Sequence, residues 1–123
     1  MSDAKKDYES TLKEIEKFDV VLLSMGEDGH TASLFPGHEY VESDDVVLEY
    51  NSPKPPSERV SMSYSRLNKA KNVFKIIMGN SKQEAVSLWL QGEKLPINQI
   101  NGDNEKVYIC KDALAEDFLL LVN

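Results

Sequence analysis

Residues 18 to 38, FDVVLLSMGEDGHTASLFPGH, carry an apolar run straight into two glycines, two acids and a histidine. Histidine is the side chain best suited to moving a proton near neutral pH, and His30 stands two residues after Asp28, whose carboxylate could orient the imidazole or raise its basicity. Gly26 and Gly29 bracket the turn and let the backbone approach a ligand closely. Together these types suit proton abstraction beside a bound small molecule. Each also has an ordinary role open to it, since glycine and aspartate make turns and a loop histidine is usually solvated. A second group follows a later apolar run, at GNSK (79 to 82). There Gly79 permits a tight turn, and a helix beginning at once would offer free N–H groups and a partial positive charge to a phosphate. Lys82 in a first helical turn runs against the dipole, so it is either a phosphate ligand or a plain surface lysine.

Both groups need elements that end where they begin. Tyr8, Leu12 and Ile15 recur at helical spacing and predict a helix over 3–17. DVVLLS (19–24) reads as a short strand covered on both faces, as in a parallel sheet. VVLEY (46–50) is a weaker strand, and the prolines of 51–58 force an extended or irregular path. RVSMS (59–63) alternates like a strand; SRLNKAK (65–71) is a short helix that Ser63 or Ser65 can cap; NVFKIIM (72–78) is a second apolar strand. A helix over 81–91 capped by Asn80 or Ser81, a strand over 106–110 and a closing helix over 112–121 capped by Asp112 complete the series. Strands alternating with helices imply right-handed crossovers and an α/β domain, 1–123, with a mostly parallel sheet and helices on both faces. In such sheets ligands bind beyond the carboxyl ends of the strands, where GEDGH and GNSK both fall.

Composition narrows the function. A formal charge of -7 argues against a nucleic-acid footprint, which needs a basic face, but leaves an anionic small substrate open to a few focused cations. Cys110 is the one cysteine, so no internal disulfide forms and a reducing compartment is expected. The charged start, MSDAKKDYES, lacks the apolar core of a signal peptide, and no apolar run approaches the roughly 18 residues that span a bilayer. A soluble, cytoplasmic protein with no nucleic-acid or membrane partner is the expectation.

LLSMGEDGHTASLFPG closely resembles the signature of 6-phosphogluconolactonases, a Gly-rich turn running into D-G-H-T-A-S-L-F-P-G, with Ser24 where that family often has a third glycine. Downstream, SPKPPSERVSMS, RLNKAK and GNSKQEA are similar to the family's proline-rich approach, E-R-[IV]-[ST] strand, L-N-x-A helix and G-x-x-K-x-E-A turn. Family members are about twice as long, and this chain resembles their C-terminal half.

The resemblance implies a Rossmann-like fold and hydrolysis of 6-phospho-D-glucono-1,5-lactone to 6-phospho-D-gluconate in the oxidative pentose phosphate pathway, with no cofactor and no metal. It places the catalytic histidine at His30, a positioning carboxylate at Asp28, oxyanion or substrate contacts around Gly26 and Gly29, and phosphate contacts at Lys82 and Arg59. The partner implied is a small phosphorylated sugar lactone. His38 reads as a surface residue, Thr31 and Ser33 as capping or packing residues, Leu88 and Trp89 as core, and Cys110 as a buried small hydrophobe. A glucosamine-6-phosphate deaminase or isomerase shares the D-G-H turn but continues with an F-N-E-P-like segment where this chain has SLFPG. The third reading is a non-catalytic fragment. With half the fold, the chain alone is expected to self-associate through its truncated sheet edge and to show little activity.

Overall fold

The structure, a computed structural model, describes residues 1–119. Its elements are α1 (Ser2–Leu12), β1 (Phe18–Leu23), β2 (Val46–Glu49), β3 (Arg59–Met62), α2 (Tyr64–Asn68), β4 (Ala70–Ile77), α3 (Gln83–Leu90), β5 (Asn104–Ile109) and α4 (Glu116–Leu119). Among these residues, no helix is long and apolar enough to cross a membrane.

The β-branched runs build a three-stranded sheet, β1-β4-β5, in which both pairings are parallel. Register sets Val21 beside Val73 and Leu23 beside Lys75, then Lys75 beside Val107 and Ile77 beside Ile109. The strand period of two therefore points Val21, Leu23, Val73 and Ile77 to one face, where they share a buried cluster with Leu34, Leu95, Ile97 and the α3 residues Ala85 and Val86. Beside that sheet, β2 and β3 form an antiparallel pair with Val47 opposite Ser61 and Glu49 opposite Arg59. Ser63 caps α2 as expected, its hydroxyl accepting the Arg66 N–H at 3.1 Å.

A charged residue sits on the apolar face of the sheet. Lys75 is fully buried, with its ammonium 2.5 Å from Glu105 and 5.5 Å from the centre of the Trp89 ring. Burial lowers its pKa from the ordinary value despite the Glu105 carboxylate beside it.

The structure corrects several expectations. β1 is an edge strand, and the face it shares with β4 and β5 opposite the core is open: Leu22 is 66% and Met78 62% exposed, and Val20, Ile76 and Tyr108 are exposed with them. An apolar composition that reads as burial on both faces is thus buried on one. Cys110 is exposed, because β5 is the other edge and the cysteine lies just past its end. Leu88 is exposed as well, while Trp89 packs partly against the core. α1 stops at Leu12, the one residue of that helix that is buried, and Ile15 lies in a turn with its carbonyl accepting the Arg66 guanidinium. No side chain caps the helix after β4; it opens with a 3-10 turn over Asn80–Lys82 before α3. Nor does Asp112 cap a long helix. Its carboxylate accepts the Gly79 N–H at 3.2 Å, a 3-10 turn covers Lys111–Ala113, and α4 begins only at Glu116. The last residues of the helix expected over 112–121 lie outside the described residues.

Candidate active site at the strand ends

Beyond the carboxyl end of β1 the chain makes a closed turn. The Gly26 N–H donates to the His30 carbonyl at 2.9 Å, and the Gly29 N–H to the Gly26 carbonyl at 3.0 Å. Thr31, 3% exposed, ties the turn to the strand by donating its hydroxyl to the Ser24 carbonyl at 2.8 Å. Thr31 therefore has a packing role within the turn, while Ser33, half-buried, is held by its backbone, its N–H donating to the Ser61 hydroxyl at 3.0 Å. Ala32 takes a left-handed φ of 50°, and the reversal carries Leu34 and Phe35 into the interior.

Glycine at position 26 is required by contact. A Cβ there would lie 2.0 Å from His30 Cε1 and 2.3 Å from Nδ1, so the imidazole occupies the space a side chain would need. Gly29 has a φ of 88°, the left-handed region that favours glycine. Because both amide hydrogens are used within the turn, these glycines shape the site without offering a free donor.

Asp28 grips His30 twice. Its Oδ1 accepts the His30 N–H at 3.0 Å and lies 2.5 Å from Nδ1. Partial burial pushes the Asp28 carboxyl up, but the two contacts from His30 outweigh it and hold the pKa below the ordinary value. Asp28 is therefore an anion at neutral pH. A carboxylate on Nδ1 favours a hydrogen at that nitrogen, which turns Nε2 to the other side of the ring. The Phe35 ring sits against the imidazole with centroids 4.6 Å apart.

A pocket of about 230 Å³ opens beside this pair, lined by Glu27, Asp28, His30, Phe35, Pro53, Lys54 and Arg59. The β2–β3 ribbon delivers the last three. Arg59 donates Nε to the Pro56 carbonyl at 3.1 Å and Nη2 to the Lys54 carbonyl at 3.0 Å, with its guanidinium 5.6 Å from the centre of the Phe35 ring. These anchors fix the guanidinium before any ligand arrives, and among the described residues no carboxylate lies within 4 Å of it. The charge is left for an anion.

Asp28, His30 and Arg59 are thus brought to one pocket. Lys82 reaches the same strand ends but donates to the Met25 carbonyl, one residue before Gly26, and does not line the pocket. Sequence reasoning missed Phe35 and Lys54 as lining residues. Both lie inside motifs of the sequence, Lys54 in SPKPP and Phe35 in SLFPG, so a signal was present for each, though not for the role. His38 is also more than a surface residue, since its Nδ1 lies 2.6 Å from the buried Glu49 carboxylate.

Known proteins share this arrangement of elements. A family profile described as glucosamine-6-phosphate isomerases/6-phosphogluconolactonase matches residues 1–109. The chloroplastic 6-phosphogluconolactonase 3 of Arabidopsis thaliana is 37% identical, over 85% of this chain and 38% of its own length. The crystal structure of 6-phosphogluconolactonase from Thermotoga maritima is similar with a TM-score of 0.77 at 28% identity, covering 88% of this chain and 50% of that one. A monomeric glucosamine-6-phosphate deaminase shares the fold, with a TM-score of 0.75 at 21% identity over 91% of this chain and 53% of its own. The chain spans about half the length of the solved structures it matches, and less of the Arabidopsis relative. On the profile match, which takes in the Asp28–His30 turn and the strand ends around it, the chain belongs to the glucosamine-6-phosphate isomerase/6-phosphogluconolactonase family.

Proposed function

We propose that this site hydrolyses 6-phospho-D-glucono-1,5-lactone to 6-phospho-D-gluconate, with His30 as general base. The observation that carries this reading is the Asp28–His30 pair on the wall of a pocket that also holds an anchored arginine. Nε2 takes a proton from water as the water oxygen bonds to the lactone carbonyl carbon. The bond from that carbon to the ring oxygen then breaks, and Nε2–H returns the proton to the departing oxygen. The acid so formed ionises in solution. Arg59 and Lys54 face the 6-phosphate, and Lys82 is the third cation, reaching it when the ammonium leaves the Met25 carbonyl. Gly26 and Gly29 give the substrate close access to the imidazole. The reaction is placed in the cytoplasm, in keeping with a single, unpaired cysteine.

The test is formation of 6-phosphogluconate from the lactone, measured above its spontaneous hydrolysis and alongside ammonia release from glucosamine-6-phosphate. Faster lactone opening with no ammonia supports the reading. Ammonia without lactone opening replaces it with a deaminase.

We further propose that the chain self-associates through the open sheet face and the β1 edge. Parallel sheets are found with both faces covered, and this one leaves Val20, Leu22, Ile76, Met78 and Tyr108 exposed. Sedimentation of the parent against Leu22→Glu tests it, with a dimer or larger species expected from the parent and a monomer from the variant. A monomeric parent overturns it.

A further inference from the structure

The pocket has two walls that are separate in sequence, residues 27–35 and 53–59, and one buried side chain ties them together. Glu49, the last residue of β2, is 5% exposed and receives hydrogen bonds on both oxygens. Its Oε1 lies 2.6 Å from the Tyr40 hydroxyl and 2.6 Å from His38 Nδ1, while Oε2 accepts the Asn51 N–H at 2.8 Å. The Tyr40 oxygen also accepts the Phe35 N–H at 3.0 Å. A hydroxyl has one hydrogen to give, and here the carboxylate at 2.6 Å takes it in preference to the Ser33 carbonyl at 3.3 Å. One path therefore runs from Glu49 through Tyr40 to the Phe35 backbone, whose ring bears on both His30 and Arg59. The other runs from Glu49 to Asn51, where the chain turns into the segment whose carbonyls anchor Arg59.

We propose that Glu49 is a positioning residue of the active site, holding the His30 wall and the Arg59 wall at a fixed separation through Tyr40 and Asn51. The Glu49 side chain does not line the pocket and does not reach His30; its backbone pairs across the ribbon with Arg59, and its carboxylate acts through Tyr40 and Asn51. Its removal loosens both walls at once from outside the pocket. The inference rests on the reading of this pocket as the lactone site.

Glu49→Gln tests it. The amide keeps the size but replaces one acceptor oxygen with an NH2 donor, so either the Tyr40 hydroxyl or the Asn51 N–H loses its acceptor. In the isotope-labelled chain, the His30 imidazole signals should shift although position 49 does not contact His30, and 6-phosphogluconate should bind roughly tenfold more weakly; the Arg59 Nε–H signal, across the ribbon from position 49, should shift with them. Glu14→Gln, on the exposed surface, should move none of these. A folded Glu49→Gln with unmoved His30 imidazole signals overturns the proposal. If that variant does not fold, Tyr40→Phe removes the relay while keeping the ring. The His30 and Phe35 signals should then shift with Asn51 unmoved, and unmoved His30 and Phe35 signals overturn the proposal. A parent chain that neither binds 6-phosphogluconate nor opens the lactone defeats the functional reading alone, because the signal shifts still decide the role of Glu49.

Discussion

Gly26→Ala adds one methyl group and should remove most of the catalysis while sparing the fold. Its Cβ would sit 2.0 Å from His30 Cε1 and 2.3 Å from Nδ1, whereas carbon atoms in contact rest about 3.5–4.0 Å apart. The imidazole must therefore retreat by about 1.5 Å, and a shift of that size breaks its 2.5 Å contact with Asp28. A displacement of about 1 Å at a reacting group costs on the order of 10²-fold in rate, so turnover should fall by about that factor or more. Stability should fall far less. The Asp28 and His30 side chains are 42% and 23% exposed, so water replaces what the pair loses, and about 1 kcal/mol is at stake. Two measurements on one sample check this, the lactonase rate with a thermal melt and the imidazole nitrogen spectrum. The spectrum should lose its single Nδ1–H form. A variant with turnover within twofold of the parent and an unchanged imidazole spectrum would refute the geometry on which the site is built.

Two further outcomes follow from other contacts. Lys82→Ala should weaken discrimination between phosphorylated and unphosphorylated lactone with a smaller loss of turnover, because the phosphate lies away from the reacting carbonyl; a variant that still discriminates like the parent excludes Lys82 from phosphate binding. Lys75→Met should raise the melting temperature at pH 7, by about 1 kcal/mol of stability, since Lys75 is wholly buried while Glu105 keeps contact with water. Burial lowers the Lys75 pKa below its ordinary 10.5, so between the two values the unfolded chain holds more protons. Parent stability should accordingly gain with rising pH through that window and be lost as pH falls through the folded value. A variant that keeps this gain, or melts lower than the parent at pH 7, contradicts the assignment.

Local pattern carried much of the fold. Alternation in RVSMS and the β-branched run VVLLS each marked a strand, and β3 and β1 lie within a residue or two of those runs. Ser63 was legible as a cap because a serine that accepts an N–H three residues on is a local device. Strand order was not legible, and the error at Cys110 follows from it: its strand lies at the sheet edge, and nothing within KVYIC distinguishes edge from centre. The Asp28–His30 pair could be read from spacing, because two residues apart in one turn is a local relation. Phe35 belongs to the same signature, but its contact with Arg59 could not be read, since that depends on the ribbon that brings Arg59 over its ring from 24 positions further along the chain. Glu49 was invisible for the same reason, as both of the walls it joins are assembled by tertiary contacts.

The central claim is that His30 is the base. The rate of 6-phosphogluconate formation by the chain and by His30→Ala, each corrected for spontaneous lactone opening, tests it most directly. The account predicts measurable though weak turnover by the chain, a fall of roughly 10²–10⁴-fold in the variant, and little change in affinity for the product. A His30→Ala chain that opens the lactone at the parent rate would contradict it.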